Sequence, residues 1–379
     1  MIHRRRLLKA TPAAAACAVV APLIGPVSAQ AVALKFGQSA SLSGGQARYG
    51  TDVRDGILAA FEAANRAEVV RGAKFELNAL DDGGERERCK GNVKTLIDGG
   101  AISIVGLTSG AGAEACLQLT EEAHIALLGT ASGNMGVRDP KLTSVFHVRA
   151  GYDEEYRRMV RYVKEFGMTR VGYVRLKDTS PANEKAMSNA LESQGIKITE
   201  TIQLDRNAKS FDAEAKQLLG ANLQCVLFAT NAAPIVSIVE TMARERYSGF
   251  YFSSSFAGQT LIDAMAQRGI SIIMSQVVPR PNAVALPVVK NFHADLAALR
   301  KDAKPGYTSL EGYISGRVAV EAARAAARGG GVTRGRFREA LGTLSVDLGG
   351  YLVQFAAANL TGSRLVDVVA IDRNGRLIG

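Results

Sequence analysis

The sequence has few of the residues and none of the motifs that mark catalysis or metal binding. Among 379 residues there are only four histidines and four cysteines. No two cysteines form a C-x-x-C pair, so a zinc site is not expected. G-x-S-x-G, H-E-x-x-H, Walker-type and G-x-G-x-x-G motifs are also missing from the sequence. We therefore expect a protein that is not an enzyme and that holds no metal or cofactor.

The sequence also lacks clusters of basic residues. The formal net charge is +10, but Arg4, Arg5, Arg6 and Lys9 supply four of these charges and leave +6 for the rest of the chain. Elsewhere Lys and Arg alternate with Asp and Glu, without basic patches that include aromatic residues. This pattern is typical of a solvated surface and excludes a nucleic-acid partner.

Only one long apolar run is present, and it lies near the N-terminus. Basic residues at 4–9 precede an apolar segment at 13–24, and Val27-Ser28-Ala29 fits a cleavage site. We interpret residues 1–29 as a secretory signal peptide that resembles the twin-arginine type, with cleavage near Ala29. The alternative is an uncleaved anchor. The mature protein is thus expected in the periplasm.

Three cysteines remain after such a cleavage. Cys89 and Cys116 fall in two successive predicted helices, and an oxidising compartment would allow a disulfide between them. Two buried free thiols are the alternative, and the sequence leaves both open. Cys225 lies in the apolar run 223–228 and is expected in the core.

From Val32 onward, short apolar strands alternate with longer amphipathic helices. The pattern runs to about residue 150 and starts again at 169–174. This alternation predicts an α/β fold with two similar lobes, each built on a parallel sheet covered by helices. The chain should pass between the lobes near 148–152 and 276–281. The β-like segments at 349–355 and 365–371 are expected to complete the second lobe.

Small hydroxyl residues and glycine follow several of the predicted strands. In open parallel sheets, ligands bind beyond the carboxyl ends of the strands, where loops lead into helices. A helix N-terminus offers unpaired N–H groups and partial positive charge, which suit a carboxylate. Ordinary helix capping is the alternative for each loop, as it is for Asp81-Asp82 before the second helix. The loops contain Ser41–Gly45, Thr108–Gly110 and Thr130–Gly133.

Taken together, these segments resemble the type I periplasmic solute-binding proteins of ABC importers, in the leucine/isoleucine/valine-binding family. The resemblance covers nearly the whole chain after the signal peptide. Its most specific parts are Ser41-Leu42-Ser43-Gly44 with Tyr49-Gly50, Leu80-Asp81-Asp82, Ile104-Val105-Gly106, Phe146-His147-Val148-Arg149 and Tyr307-Thr308-Ser309-Leu310-Glu311-Gly312-Tyr313.

The resemblance implies two Rossmann-like lobes joined by three crossings that close on a small ligand. Residues 30–150 plus 278–350 would form the N-terminal lobe, and 151–277 plus 351–379 the C-terminal lobe. It also implies delivery of the ligand to a membrane permease with its ATPase, by a protein we expect to be monomeric.

Site residues are carried over from the family by position. Ser109 matches the serine that holds the ligand carboxylate, and Thr130, Ala131 and Ser132 match the loop that completes this site. Tyr49 matches a tyrosine that lines the cleft. We add Tyr152 at the first crossing, and Asn231 and Ser255 as contacts from the second lobe.

The second lobe departs from the family pattern. Leucine binders present an acidic residue to the ligand ammonium group, whereas Ser255 is nearest to that position here. Because a buried ammonium without a carboxylate is costly, either another acid such as Asp153 or Glu311 reaches the ligand, or the ligand has no amine. We expect a small, mainly apolar amino acid, with an amine-free aromatic or aliphatic carboxylate and a ligand-sensing role for a signalling partner as alternatives.

Overall fold

The computed structural model describes residues 31–378 except 206, 207 and 358. The predicted signal peptide at 1–29 lies outside the described residues. Within the described part of the chain, none of the helices combines the length and apolar character needed to span a bilayer. The architecture is α/β with two lobes built on separate sheets, as the alternation of strands and helices predicts.

The N-terminal lobe is built on a five-stranded sheet in the order β2-β1-β3-β4-β5, in which every pair is parallel. All residues of β3 and β4 are buried because helices cover both faces of the sheet. The elements are β1 (Val32–Ala40), α1 (Ala47–Arg66), β2 (Ala73–Asp81), α2 (Arg86–Asp98), β3 (Ser103–Val105), α3 (Gly110–Glu122), β4 (Ala126–Leu128) and β5 (Val145–Phe146), with short 3-10 turns at Gly44–Gln46 and Met135–Val137.

The chain then enters the C-terminal lobe and repeats the alternation. The elements are α4 (Tyr152–Glu165), β6 (Val171–Leu176), α5 (Pro181–Ser193), β7 (Ile198–Leu204), α6 (Asp212–Gly220), β8 (Cys225–Ala229), α7 (Ala232–Arg244), β9 (Phe250–Ser253), a 3-10 turn at Ser255–Ala257, α8 (Gly258–Arg268) and β10 (Ile272–Gln276).

After β10 the chain returns to the N-terminal lobe, where two of its three helices pack on α1, and finally re-enters the second sheet. That sheet has the order β14-β13-β10-β9-β8-β6-β7, parallel except for β13 and β14. The returning elements are α9 (Pro287–Leu299), α10 (Tyr307–Arg328), α11 (Arg334–Gly342), β11 (Ser345–Asp347), β12 (Leu352–Gln354), β13 (Asp367–Ile371) and β14 (Leu377–Ile378).

One part of the expected division between the lobes is wrong. The segment at 349–355 does not join the second sheet, because β12 pairs antiparallel with β11. Phe355 packs edge-on against Phe146 of β5, and the Gly362 N–H donates to the His147 carbonyl. The chain therefore stays with the N-terminal lobe beyond residue 351. Only β13 and β14 complete the second sheet.

A single tyrosine connects the segments between the lobes. The Tyr351 hydroxyl lies 2.7 Å from the Val148 carbonyl oxygen and 3.1 Å from the Val277 carbonyl oxygen. These carbonyls belong to the first and second crossings, and Tyr351 itself precedes the third. Burial raises the pKa of Tyr351 above its usual range, so the hydroxyl keeps its proton.

The three cysteines in the described part of the chain, Cys89, Cys116 and Cys225, are buried free thiols. Of the two alternatives for Cys89 and Cys116, the structure has the unbonded one, with the side chains in contact between α2 and α3. A hydrogen bond with Cys116, together with burial, raises the pKa of the Cys89 thiol above its usual range. Cys225 lies in the core, as its apolar neighbours predict.

Close backbone contact between α1 and α10 holds the N-terminal lobe together. A Cβ added to Gly312 would lie 2.2 Å from the Val53 carbonyl oxygen, and one added to Gly56 would lie 2.0 Å from the Ser309 carbonyl oxygen. These contacts are with backbone atoms, which cannot rotate away. Only glycine allows the two helices to approach this closely.

Gly312→Ala should therefore lower the free energy of unfolding by about 1–3 kcal/mol, because the helices must separate to admit the methyl group. Gly91→Ala is the matched control: Gly91 lies within α2 with no heavy atom within 4 Å of its added Cβ. That change should stabilise the protein by about 0.5–1 kcal/mol through helix propensity. Urea denaturation followed by circular dichroism measures both. Equal stability of Gly312→Ala and the wild type would contradict the close packing.

Candidate functional site

The two lobes enclose a cleft of about 280 Å³ at the carboxyl ends of their parallel strands. Its walls are the loops that follow β1 to β4 in one lobe and β6, β8 and β9 in the other. From the N-terminal lobe the lining residues are Ser41, Gln46, Gly84, Arg86, Thr108, Ser109, Gly110, Ala111, Glu114, Ser132 and Asn134; from the C-terminal lobe they are Tyr152, Tyr156, Leu176, Asp178, Thr179, Ser180, Pro181, Asn183, Ala229, Thr230, Ser254 and Phe256.

Ser109 is the N-cap of α3 and borders the cleft. Its Oγ accepts a hydrogen bond of 3.1 Å from the Gly112 N–H, which uses a lone pair and leaves the hydroxyl proton available. Gly110 and Ala111 form the first turn of α3, where backbone N–H groups have no acceptor within the helix. This wall therefore offers hydroxyl and amide donors to an anion.

The loop after β4 supplies one predicted residue to the cleft and two behind it. The Ser132 hydroxyl lines the cleft and lies 3.2 Å from the Tyr152 hydroxyl. Burial raises the pKa of Tyr152 to about 12, so this hydroxyl stays protonated. Thr130 and Ala131 are buried and do not line the cleft.

Tyr49 also lies behind the cleft wall. Its hydroxyl donates a 2.7 Å hydrogen bond to the Ala131 carbonyl, and its ring packs edge-on against Phe256 with centroids 5.7 Å apart. Because Phe256 does line the cleft, Tyr49 supports both walls rather than contacting the cleft. Its expected role as a lining residue does not match this geometry.

In the second lobe, the neighbours of the predicted residues face the cleft. Thr230 lines it and donates a 3.1 Å hydrogen bond to Asn231 Oδ1, while Asn231 is not a lining residue. Ser254 lines it, whereas Ser255 is buried in a cluster of charged groups. The predicted positions are thus each one residue away from the cleft surface.

The cluster that holds Ser255 is centred on Arg149, which is completely buried at the first crossing. Arg149 Nη1 lies 3.1 Å from Glu311 Oε1, and Nη2 donates to Ser255 Oγ at 2.8 Å and to Glu155 Oε1. Glu155 Oε2 also accepts a 2.6 Å hydrogen bond from Ser275 Oγ. The cluster joins α10 of one lobe to α4, the loop after β9 and β10 of the other.

The electrostatics of the cluster reflect its burial. Burial raises the pKa of Glu311, and Arg149 opposes this shift. Burial alone would lower the pKa of Arg149, but the carboxylates of Glu311 and Glu155 hold it above its usual range. The positive charge of Arg149 is thus kept by its carboxylate partners.

Neither acid proposed for a ligand ammonium reaches the cleft. Glu311 is engaged by Arg149, and Asp153 lies 3.4 Å from Arg157 on the exposed side of α4. Asp153 lines a different cavity, formed with Arg138 and Asp139. Both expectations are wrong for this arrangement.

Asp81 and Asp82 shape the loop after β1 rather than capping α2. Asp81 accepts hydrogen bonds from the Leu42 N–H at 2.8 Å and from the Ser43 hydroxyl at 2.6 Å. The Ser43 bond is the main cause that lowers the pKa of Asp81 to about 2. The N-cap of α2 is Glu85, whose side chain makes no cap bond. Asp82 Oδ1 accepts a 3.1 Å hydrogen bond from the Ser41 hydroxyl, so the two carboxylates position Ser41 at the cleft.

Charged lining residues were missed by sequence reasoning. Arg86 begins α2, Asp178 follows β6 and Glu114 lies in the second turn of α3. Arg86 and Asp178 follow strand ends, so a search of those loops for charge as well as for hydroxyl groups would have found them. Glu114 carries no such signal, because it lies inside a helix.

The lobes also touch each other directly. The Met135 N–H donates a 2.8 Å hydrogen bond to Asn183 Oδ1, which connects the N-terminal lobe to α5. Arg48 of α1 pairs with Asp263 of α8 at 2.6 Å. A cleft between two touching lobes, lined by strand-end loops, is the geometry of a receptor that encloses a small solute.

Comparison with known protein families agrees with a cleft between two lobes. A sequence model described as periplasmic binding protein matches residues 33–376. The chain belongs to the periplasmic binding protein family. Its two lobes have the type I periplasmic binding protein fold, a fold of solute-binding proteins. None of the curated proteins matches the sequence of this periplasmic binding protein significantly.

Solved structures share the fold over nearly the whole chain. A possible leucine/isoleucine/valine-binding protein from Rhodopirellula baltica SH 1 is 24% identical, with a TM-score of 0.87 over 94% of this chain and 98% of that one. A substrate-binding periplasmic protein from Ralstonia solanacearum is 26% identical, with a TM-score of 0.83 over 91% and 99%. A branched chain amino acid ABC transporter from Thermus thermophilus with bound valine is 17% identical, with a TM-score of 0.80 over 92% and 95%.

Arg149→Met in this periplasmic binding protein should lower the free energy of unfolding by about 3–5 kcal/mol, because it leaves two buried carboxylates without their cation. Arg161→Met is the control on neighbouring α4, where Arg161 and Glu165 form an exposed pair. That change should cost less than about 1 kcal/mol. Urea denaturation compares them, and equal effects would contradict the role of the buried cluster.

Proposed function

We propose that this protein is the extracytoplasmic substrate-binding subunit of an ABC importer. Its ligand is a small, mainly apolar molecule with a carboxylate, and a branched-chain or related amino acid is the first choice. The observation that carries the proposal is the N-terminus of α3, which borders the cleft with Ser109 as its cap.

The carboxylate would bind at this helix end. The Ser109 hydroxyl and the first-turn N–H groups are hydrogen-bond donors, and the helix N-terminus carries partial positive charge. Ser132 adds a second hydroxyl on the same wall. Hydrogen bonds to a charged group in a partly desolvated cleft are stronger than those between neutral groups.

The apolar part of the ligand would face the second lobe. Tyr156, Leu176, Pro181 and Phe256 contribute apolar surface to that wall. The cleft volume of about 280 Å³ is just below the usual range for small-molecule sites, roughly 300–1,000 Å³, which suits a ligand of amino-acid size. The relative from Thermus thermophilus contains bound valine, which is consistent with this choice.

Enclosure would follow from rotation of the lobes about the crossings. The Met135–Asn183 hydrogen bond joins the two lobes, and it can form only when the lobes are close. A ligand that contacts both lobes favours the closed arrangement, because it binds the closed lobes more tightly than the open ones. The closed form would then dock on a membrane permease that works with an ATPase.

The proposed location is the periplasm, which agrees with the family and with the predicted signal peptide at 1–29. We propose a monomer that releases its ligand unchanged. The partners are thus the solute and the importer, without nucleic acid.

Ser109→Ala should weaken ligand binding by about 1–3 kcal/mol, because a desolvated carboxylate loses a donor. The ligand is first identified by mass spectrometry of the denatured protein, and calorimetric titration of the ligand-free protein then gives the affinity. L-leucine, L-isoleucine and L-valine are the first probes.

Thr333→Ala is the matched control, because Thr333 caps α11 in the same way and lies outside the cleft. It should reduce stability without changing affinity. Unchanged affinity in Ser109→Ala would remove Ser109 from the site. If neither amino acids nor small carboxylates bind, the importer role with this ligand class is wrong, and a sensor for a signalling partner becomes the next candidate.

A further inference from the structure

The charged groups of the cleft are unevenly placed between its walls. The described lining contains two carboxylates, Glu114 and Asp178, and one guanidinium, Arg86. Glu114 lies in the N-terminal lobe on α3, the same helix that Ser109 caps. Asp178 is exposed and belongs to the loop after β6 in the opposite lobe. Of the two carboxylates in the described lining, Glu114 is the one on the same wall as the proposed carboxylate donors.

The Glu114 carboxylate is held in a fixed position. Its Oε1 accepts a 2.7 Å hydrogen bond from Asn134 Nδ2, and Asn134 is itself 97% buried, with only 3% of its surface exposed. A Cβ on Gly136 would lie 1.9 Å from the same oxygen, so the carboxylate rests where only glycine leaves room. The hydrogen bond from Asn134 and the close packing against Gly136 restrict the rotamers of Glu114. A side chain that is already positioned loses less entropy on binding.

Hydroxyl, amide and carboxylate groups follow one another along this wall. The position that a Cβ on Gly110 would occupy is 2.9 Å from both Ser132 Oγ and Asn134 Nδ2. Asn134 Nδ2 in turn donates to Glu114. An α-amino acid carries its carboxylate and ammonium on one carbon, so its site needs an anion close to the carboxylate donors. This wall has that arrangement.

We propose that Glu114 binds the ligand ammonium and thereby selects amino acids over carboxylates that lack an amine. The inference rests on the proposed function and deepens it. Glu114 replaces, from the first lobe, the acid that the second lobe lacks at Ser255. An ammonium placed between Glu114 and the ligand carboxylate compensates both negative charges. An amine-free carboxylate would instead face the Glu114 charge without an ammonium on the same carbon to compensate it.

The experiment compares two probes of equal carbon skeleton, L-leucine and 4-methylpentanoate, which lacks the amine. Both are titrated by calorimetry into ligand-free full-length mature protein. The wild type should bind L-leucine more tightly. Glu114→Gln should weaken L-leucine binding about 10- to 100-fold, the range for hydrogen bonds to charged groups. Binding of 4-methylpentanoate should stay unchanged or become tighter, because the like charge is removed.

Glu122→Gln is the matched control on α3, since Glu122 is exposed and accepts a hydrogen bond from Gln118 across one turn. It should leave both affinities unchanged. Asn134→Ala tests the positioning of Glu114 without removing its charge, and it should weaken L-leucine binding more than 4-methylpentanoate binding. Thermal unfolding of each variant establishes that it is folded at the titration temperature.

The outcomes separate the two proposals. Equal weakening of both probes in Glu114→Gln would give Glu114 a purely structural role and overturn this inference while the importer role stands. If Asp178→Asn abolished the preference for L-leucine and Glu114→Gln did not, Asp178 would be the residue that binds the ammonium. That result would also overturn the assignment to Glu114. A wild type that binds neither these probes nor other amino acids would contradict the proposed ligand class and this inference together.

Discussion

The buried Arg149 guanidinium is the interaction on which the joining of the lobes depends. It lies at the first crossing, and its partners come from both lobes, with Glu311 on one side and Glu155 and Ser255 on the other. A desolvated charge is costly unless its partners are in place. The lobes therefore cannot separate at this point without exposing or isolating a charge. Any rotation of the lobes would have to leave this cluster intact.

The cluster also connects to the cleft through one aromatic ring. Arg149 lies 6.0 Å from the centre of the Tyr152 ring, and the Tyr152 hydroxyl lies 3.2 Å from the Ser132 hydroxyl in the cleft wall. Tyr152 also stacks on Tyr156, another lining residue, at 5.5 Å. The position of the lining tyrosines is thus determined by the charged groups between the lobes. A ligand that contacts Ser132 or Tyr156 touches the same set of packed side chains that joins the lobes.

Most of the fold could be predicted because each strand and helix carries its own local pattern. The lobe boundary expected at residue 351 could not be predicted correctly. The alternating pattern of a strand such as β12 does not specify which sheet the strand joins. In the site, the position of Ser109 could be predicted, because a serine directly before a helix is recognisable from the sequence as its N-cap. Ser255 looked equivalent, but Arg149 occupies its hydroxyl from a position far away in the sequence. Glu114 could not be found, because a glutamate within a helix usually faces solvent.

The Tyr351 hydroxyl has one proton and lies within reach of two carbonyl oxygens, those of Val148 and Val277. A single O–H group can make one strong hydrogen bond at a time. When the two crossings shift apart, the proton can remain with one carbonyl while the other gains water. The Tyr351 hydroxyl would then keep a carbonyl acceptor throughout the shift, so that no buried donor is left unpaired. A change in the angle between the lobes would therefore cost little enthalpy in this contact.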